Sequence, residues 1–375
     1  MLLLLFSFFI PIVVLAEGED LLKEAGSGIL IEASTGTVIF EKNSHDKVAV
    51  ASLTKMVAQI LILENIESGN LKWDEIVSVS ANAAGMGGTQ IFLTAGEKMS
   101  VRDLFKGISM ASANDATVAM AERIAGTEDA FVKLMNDKVR ELGLKETTFK
   151  NCTGLDEEGH LSSAYDMALI AKELLDHEQI LEFSSVYEDY LRADTPNKFW
   201  LVNTNKLVRF YEGADGLKTG FTDAAMYSMA VTAKRNNMRL IAVVLGEKVS
   251  KTRNAETTEL LDYGFNLYKI DIIRRKVDVV DKIEIIKGSK KEISVFPKDD
   301  VSILSKKSEV SINYDVSTNI NKIKLPIKKG DVVGKLILKN NNKILKEVDL
   351  MVNVDVNKIK YLSHLWNSFM DLVIG

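Results

Sequence analysis

The pattern of hydrophobic and polar positions divides the chain into four textures. Residues 2–15 are almost all Leu, Phe, Ile and Val, and Val14-Leu15-Ala16 offers a small-residue cut site before Glu17. That is the apolar core of a secretory signal, although no Lys or Arg precedes it. Fourteen apolar residues are short for a membrane span, so 1–16 reads as a cleaved signal peptide. In 17–269, strand-like runs at 27–32 and 37–41 flank the turn Ala33-Ser34-Thr35-Gly36, a hairpin. Helical periodicity covers 52–67, 101–110, 115–125, 127–142, 164–175 and 252–268, with Gly143 closing the fourth of these. Polar, glycine-containing stretches at 85–88 and 151–163 are loops. Strands at 228–233 and 240–245 are joined by Arg235-Asn236-Asn237. Strands at both ends with helices between predict an α/β (α+β) domain, an antiparallel sheet built from both chain ends with flanking helices.

From Asp271 the texture changes to short β-branched runs at 277–280, 283–286, 293–296, 310–314, 322–327, 333–338 and 347–354. Gly288-Ser289, Lys329-Gly330 and Asn340-Asn341-Asn342 punctuate them, predicting a small all-β domain over 270–355. In 359–374, ten of sixteen residues are apolar or aromatic, interrupted by Lys360, His364 and Asp371. Residues 356–375 are therefore expected to form an amphipathic helix lying in a membrane interface around Trp366, being too short and polar to span.

Charge sharpens this division. The net charge of −5 resolves into −11 for 17–269 (27 basic, 38 acidic side chains), +5 for 270–355 (18 against 13) and +1 for the tail. An acidic body argues against nucleic acid as a partner. Cys152 is the one cysteine, so no intrachain disulfide forms, and it reads as a small buried residue. The four histidines are scattered, and no cluster has metal-ligand spacing; no metal or cofactor is expected.

The candidate chemistry begins at Ser52-Leu53-Thr54-Lys55. Positions i and i+3 share a helix face, so the Ser52 hydroxyl and Lys55 amine can meet. A serine needs a neighbouring base, and a lysine serves only when neutral. Working near pH 7 means lowering its pKa by about three units, roughly 4 kcal/mol. Burial and a second cation can do this. Ser112-Ala113-Asn114 and Lys218-Thr219-Gly220 follow in order, the first between helices and the second on a strand. Read without these companions, Ser52 and Thr54 could merely cap a helix, and Asn114 with Asp115 could be an N-cap pair. His160, alone in its loop, is expected to be a hydrogen-bonding strut rather than a base.

The three motifs together match the Ser-x-x-Lys, Ser-x-Asn and Lys-Thr-Gly set of penicillin-recognising serine enzymes. With Asn151–Asp156, His160–Met167, Asp215-Gly216 and Leu260–Phe265, nearly the whole mature chain resembles the low-molecular-mass penicillin-binding proteins that act as D-alanyl-D-alanine carboxypeptidases. The resemblance implies Ser52 as nucleophile, Lys55 as its base, Ser112 as proton relay and Asn114 on the substrate amide. It also implies Lys218 as a catalytic residue that holds Lys55 neutral by like-charge repulsion, an oxyanion hole at the N–H groups of Ser52 and Phe221, and Lys218, Thr219, Gly220, Phe221 and Arg253 as substrate-binding residues. The partners implied are a peptidoglycan stem peptide ending in D-Ala-D-Ala and, as inhibitors, β-lactams. The location implied is the outer face of the cytoplasmic membrane or the cell wall. Val50 stands where the family usually has proline. The competing readings are a serine β-lactamase using Glu157 or Glu158 to activate water, and a catalytically silent penicillin-binding scaffold.

Overall fold

The computed structural model describes residues 21–309, 314–340 and 343–359. The proposed signal peptide and most of the proposed tail lie outside the described residues. The chain divides into two compact units: one contains Val38–Arg235, Arg239–Gly264 and the chain up to Ile31, the other Glu32–Thr37, Asn236–Met238 and the chain from Phe265.

The first unit is organised on a five-stranded sheet in the order Val38–Lys42, Ser27–Glu32, Met238–Glu247, Met226–Arg235, Ala214–Thr222. Ser27–Glu32 is buried at every position, so both faces of the sheet are covered. The helix Ser250–Leu267 packs closely on it at Gly264, where a Cβ would lie 2.6 Å from Leu240 Cδ1 and 3.0 Å from Leu30 Cδ2. Ala214–Thr222 ends the order, so one of its edges has no strand partner in this sheet. Its near end is tied by Arg239, which donates from both terminal nitrogens to the Asp215 carboxylate (2.7 and 2.8 Å).

The helical part follows the expected pattern with informative departures. The predicted 52–67 helix is a 3₁₀ turn Ala51–Thr54 running into the α-helix Lys55–Glu67. Ala51 holds φ +48°, and no side chain caps the turn. The predicted 101–110 helix is α only over Val101–Lys106; it widens to a π-turn at Gly107–Ala111 and stops at Ser112, whose φ is +66°. Asn114–Ala125 follows. Two short hairpins, Ile76–Ser78 with Lys98–Ser100 and Glu188–Leu191 with Phe199–Val202, are not anticipated by the hydrophobic pattern. Three- and four-residue strands carry too few alternations to register.

The second unit has a five-stranded sheet in the order Asp281–Glu284, Glu292–Pro297, Lys343–Val352, Val332–Asn340, Asp315–Ile320. A separate pair joins Tyr268–Arg274 to Val301–Lys306. Its core gathers Val295, Leu336, Leu338, Leu350 and Val356. Two predicted strands are corrected. Residues 277–280 form no strand: the Asp278 carboxylate accepts from Arg275 N–H (2.7 Å) and its own N–H returns to Arg275 O (2.9 Å), closing a turn. Residues 322–327 are irregular, making only the isolated bridge Ile327–Val356, outside the sheet, beside Pro326, which has no N–H to give. Of the predicted 310–314 strand, only Tyr314 is described, outside any strand.

The close approach at Gly264 generates a stability prediction. Gly264→Val improves helix propensity slightly but forces a branched side chain into fully buried Leu30 and Leu240. Overpacking of this kind typically costs about 1–3 kcal/mol. Urea unfolding of the variant should show a loss of about 2 kcal/mol at unchanged m-value, and an unchanged midpoint would contradict this packing.

Candidate active site

The site is assembled from the first turn of the Lys55–Glu67 helix, the loop after Asn151 and the edge strand. Lys55 Nζ lies 2.9 Å from Ser52 Oγ and donates to Thr153 O at 2.6 Å. Lys55 is wholly buried. Burial pushes its pKa down to about 7, against the opposing pull of Cys152 and Asp115. The sequence predicts that a second cation shares in this shift; at Lys55 the cause is desolvation. The like-charge effect falls on Lys218, held well below the usual lysine range by burial first, then by Lys55 and Arg253. Lys218 is 1% exposed and donates to Thr219 O at 2.9 Å, and among the described residues neither lysine has a carboxylate in its hydrogen-bonding shell.

Backbone crowds the Ser52 amide from two sides. A Cβ at Gly154 would lie 1.9 Å from Ala51 O and 3.0 Å from Ser52 N, and Gly154 holds φ +84°. A Cβ at Gly220 would lie 3.0 Å from Ser52 N, Val50 O and Ala51 Cβ. Only glycine lets both segments reach this amide. Gly220 pairs with Ser228 and Phe221 with Tyr227 across the neighbouring strand. A cleft of about 400 Å³ opens beside them, lined by Val50, Ala51, Gly154, His160 and Ala224 among others.

Asn114 is buried, donating its side-chain amide to Gly87 O (2.8 Å) and its backbone N–H to Thr89 O (2.7 Å). Asp115 braces the same loop, its carboxylate accepting from Ile91 and Leu93 N–H (3.2 and 2.9 Å). Ser112 is 5% exposed at the end of the π-turn. Among the described residues, no hydrogen bond joins Ser112 or Asn114 directly to Ser52 or Lys55. Thr219 is buried, while Phe221 is exposed and its ring lies 4.3 Å from that of Tyr227.

Arg253 is 6% exposed, in the first turns of its helix. Nε and Nη2 both donate to Asn254 Oδ1 (3.1 and 2.8 Å), and Nη1 reaches Ser228 O at 3.5 Å. Burial pushes its pKa down to about 10. Its charge is felt at Lys218, so the two cations lie within electrostatic reach of each other. His160 matches its expected part as a strut. Nδ1 accepts from Lys150 N–H (3.1 Å), so the neutral ring carries its proton on Nε2 and donates to Thr54 Oγ1 (2.8 Å). Burial lowers its pKa to about 4.

Two residues of the site fall within the Asn151–Asp156 stretch of the resemblance, which assigns them no role: Thr153, whose carbonyl holds Lys55, and Gly154, which presses on the Ser52 amide. The only available signal is glycine in a polar loop, and nothing local tells which glycine meets a residue a hundred positions away.

Comparison with known proteins agrees with this geometry. Residues 16–249 match the D-alanyl-D-alanine carboxypeptidase family, and residues 272–358 match the penicillin-binding protein 5 C-terminal domain. The chain is 47% identical to D-alanyl-D-alanine carboxypeptidase DacF of Bacillus subtilis (strain 168), over 94% of this chain and 91% of that one. It is 31% identical to DacC of Escherichia coli (strain K12), over 92% and 88%. The crystal structure of penicillin binding protein 5 from Haemophilus influenzae superposes with a TM-score of 0.71 at 28% identity, covering 89% of this chain and 98% of that one. Penicillin-binding protein D2 from Listeria monocytogenes, solved in an ampicillin-bound form, matches with a TM-score of 0.58 at 32% identity over 64% of this chain and 97% of that one. The chain belongs to the D-alanyl-D-alanine carboxypeptidase family of serine hydrolases, the low-molecular-mass penicillin-binding proteins.

Proposed function

We propose that the protein removes the terminal D-alanine from peptidoglycan stem pentapeptides through an acyl-enzyme on Ser52, and that β-lactams acylate the same hydroxyl. The observation that carries this assignment is the 2.9 Å contact between Ser52 Oγ and a wholly buried Lys55 whose pKa is lowered to about 7. An amine half deprotonated near neutral pH can take the serine proton as Oγ attacks the carbonyl of the penultimate D-alanine. The oxyanion forms against the N–H groups of Ser52 and Phe221, the first lying where Gly154 and Gly220 leave room. One such donor is typically worth about 3–4 kcal/mol of barrier.

Ser112 passes the proton to the nitrogen of the departing D-alanine. Water then attacks the acyl carbon, and Ser52 recovers its proton as the shortened peptide leaves. Asn114 binds the acyl-side amide. The free edge at Lys218-Thr219-Gly220 receives the extended peptide as an added strand. Lys218, Thr219 and Arg253 hold the terminal carboxylate, with the Arg253 fork turning from Asn254 toward the ligand.

The remaining parts of the reading concern location. Residues 1–16 direct export, 17–269 are the catalytic domain, 270–355 are a β spacer, and 356–375 lie on the outer face of the cytoplasmic membrane as an amphipathic helix. Among the described residues, no helix is long and apolar enough to cross a membrane.

Purified protein should release D-Ala from a diacyl-Lys-D-Ala-D-Ala peptide, and Ser52→Ala should lose both that release and covalent penicillin labelling. The acylation rate should climb with pH through about 7 as Lys55 loses its proton. Because burial sets the Lys55 pKa, the climb should stay near pH 7 in Lys218→Gln, and a limb moved to higher pH would assign the shift to the Lys218 charge instead.

Arg253→Gln should narrow the preference for a free carboxylate over a carboxamide terminus by about 10–100-fold in kcat/KM, the range expected for one charge-assisted hydrogen bond. Equal losses on both substrates would relegate Arg253 to structure. Deleting 356–375 should move the protein from the membrane to the soluble fraction, and unchanged partitioning would show that this tail is not the anchor.

A further inference from the structure

Outside the site, one cluster is built like a metal centre. Glu64 lies near the end of the Lys55–Glu67 helix, Glu173 lies in the last turn of Ala164–Asp176, and His177 caps that helix. One ligand atom from each falls within 4.8 Å of the other two. Glu173 and His177 are four apart, the spacing that puts two ligands on one helix face. Glu64 is more than a hundred positions away, so the sequence shows no ligand spacing here.

The state of His177 points to an absent partner. The residue is 8% exposed, and Nε2 is buried with no hydrogen-bond partner. Nδ1 lies 2.9 Å from both oxygens of Glu67. A carboxylate there fixes the proton on Nδ1 and leaves the Nε2 lone pair bare. Carboxylate–histidine–metal arrangements have this form, the carboxylate orienting the ring and raising its basicity. A lone pair buried in this way is a cost that a bound cation removes.

The competitor is Lys138, 7% exposed, whose ammonium sits 2.6 Å from Glu64 Oε1 and 2.8 Å from Glu141 Oε2. It occupies one oxygen of Glu64 and leaves the other available.

We propose that Glu64, Glu173 and His177 bind a divalent transition-metal ion, with Zn²⁺ the best match to one imidazole and two carboxylates, water completing the shell. Tetrahedral Zn²⁺ with bonds near about 2.1 Å sets its ligands about 3.4 Å apart. The cluster therefore closes by up to about 1.4 Å on binding, within reach of glutamate rotamers. The ion would staple the far end of the helix that carries Lys55 to the helix 164–176. Nine residues separate Glu64 from Lys55, about 14 Å along the helix, so the metal acts on stability and not on the reaction.

The test uses the full mature chain, stripped with EDTA and titrated with ZnCl₂ by calorimetry, with melting followed in parallel. One equivalent should bind, and a roughly hundredfold excess over Kd should raise Tm by about 5–10 °C. Both effects should vanish in His177→Gln and, as a variant at a half-exposed position that keeps the helix intact, in Glu173→Gln. D-Ala release should be unchanged by stripping. Failure of Zn²⁺, Mn²⁺ and Co²⁺ to bind saturably would overturn the proposal, as would zinc binding that survives in Glu173→Gln and His177→Gln alike. Neither result bears on the chemistry at Ser52.

Discussion

Two buried lysine side chains lie within reach of each other's charge and, among the described residues, have no carboxylate as a hydrogen-bond partner, and the catalytic unit is arranged around that fact. Lowering the Lys55 pKa from 10.5 to about 7 represents on the order of 5 kcal/mol of lost preference for the charged form. The protein sustains this with fixed carbonyl dipoles, Thr153 O for Lys55 and Thr219 O for Lys218. A carboxylate in either place would keep the ammonium charged and leave Ser52 without a base. Asp115, the acidic group whose field reaches Lys55, is occupied by backbone N–H groups of the 91–93 loop.

Several local oddities follow from building such a pocket. Ala51 and Ser112 both hold positive φ without being glycine, each adjoining or belonging to a motif. Such residues cost on the order of 1–3 kcal/mol and persist only where the surroundings over-determine them. The π-turn at Gly107–Ala111 ends the helix at the left-handed Ser112 instead of continuing it. Gly154 and Gly220 let loop and strand converge on the Ser52 amide at distances that no side chain tolerates. Strain, helix widening and bare backbone thus occur together at the chemistry and are met by a deeply buried sheet behind it.

The same helix links the pocket to the distant cluster. Lys55–Glu67 begins at the nucleophile and ends at Glu64 and Glu67, the second of which holds Nδ1 of His177 while Nε2 has no hydrogen-bond partner among the described residues. What fastens its far end strengthens the fold that keeps Ser52 in register with Gly220, without entering the reaction.

The reaction class and the elements that bear it can be read along the chain. Ser52 and Lys55 are three apart, so helical geometry alone brings them together, and the Ser112 and Lys218 motifs keep their order. The long strands and helices are legible because many residues repeat one period. The breaks are not: 277–280 reads as a strand from its valines, yet Asp278 closes a turn on Arg275. The folded arrangement was needed to show that burial, rather than a neighbouring charge, lowers the Lys55 pKa, and that Thr153 and Gly154 complete its surroundings. It was needed again to bring Glu64 to His177. These features depend on the solvent a group has lost and on the chain segments that exclude it, and neither is encoded at the residue itself.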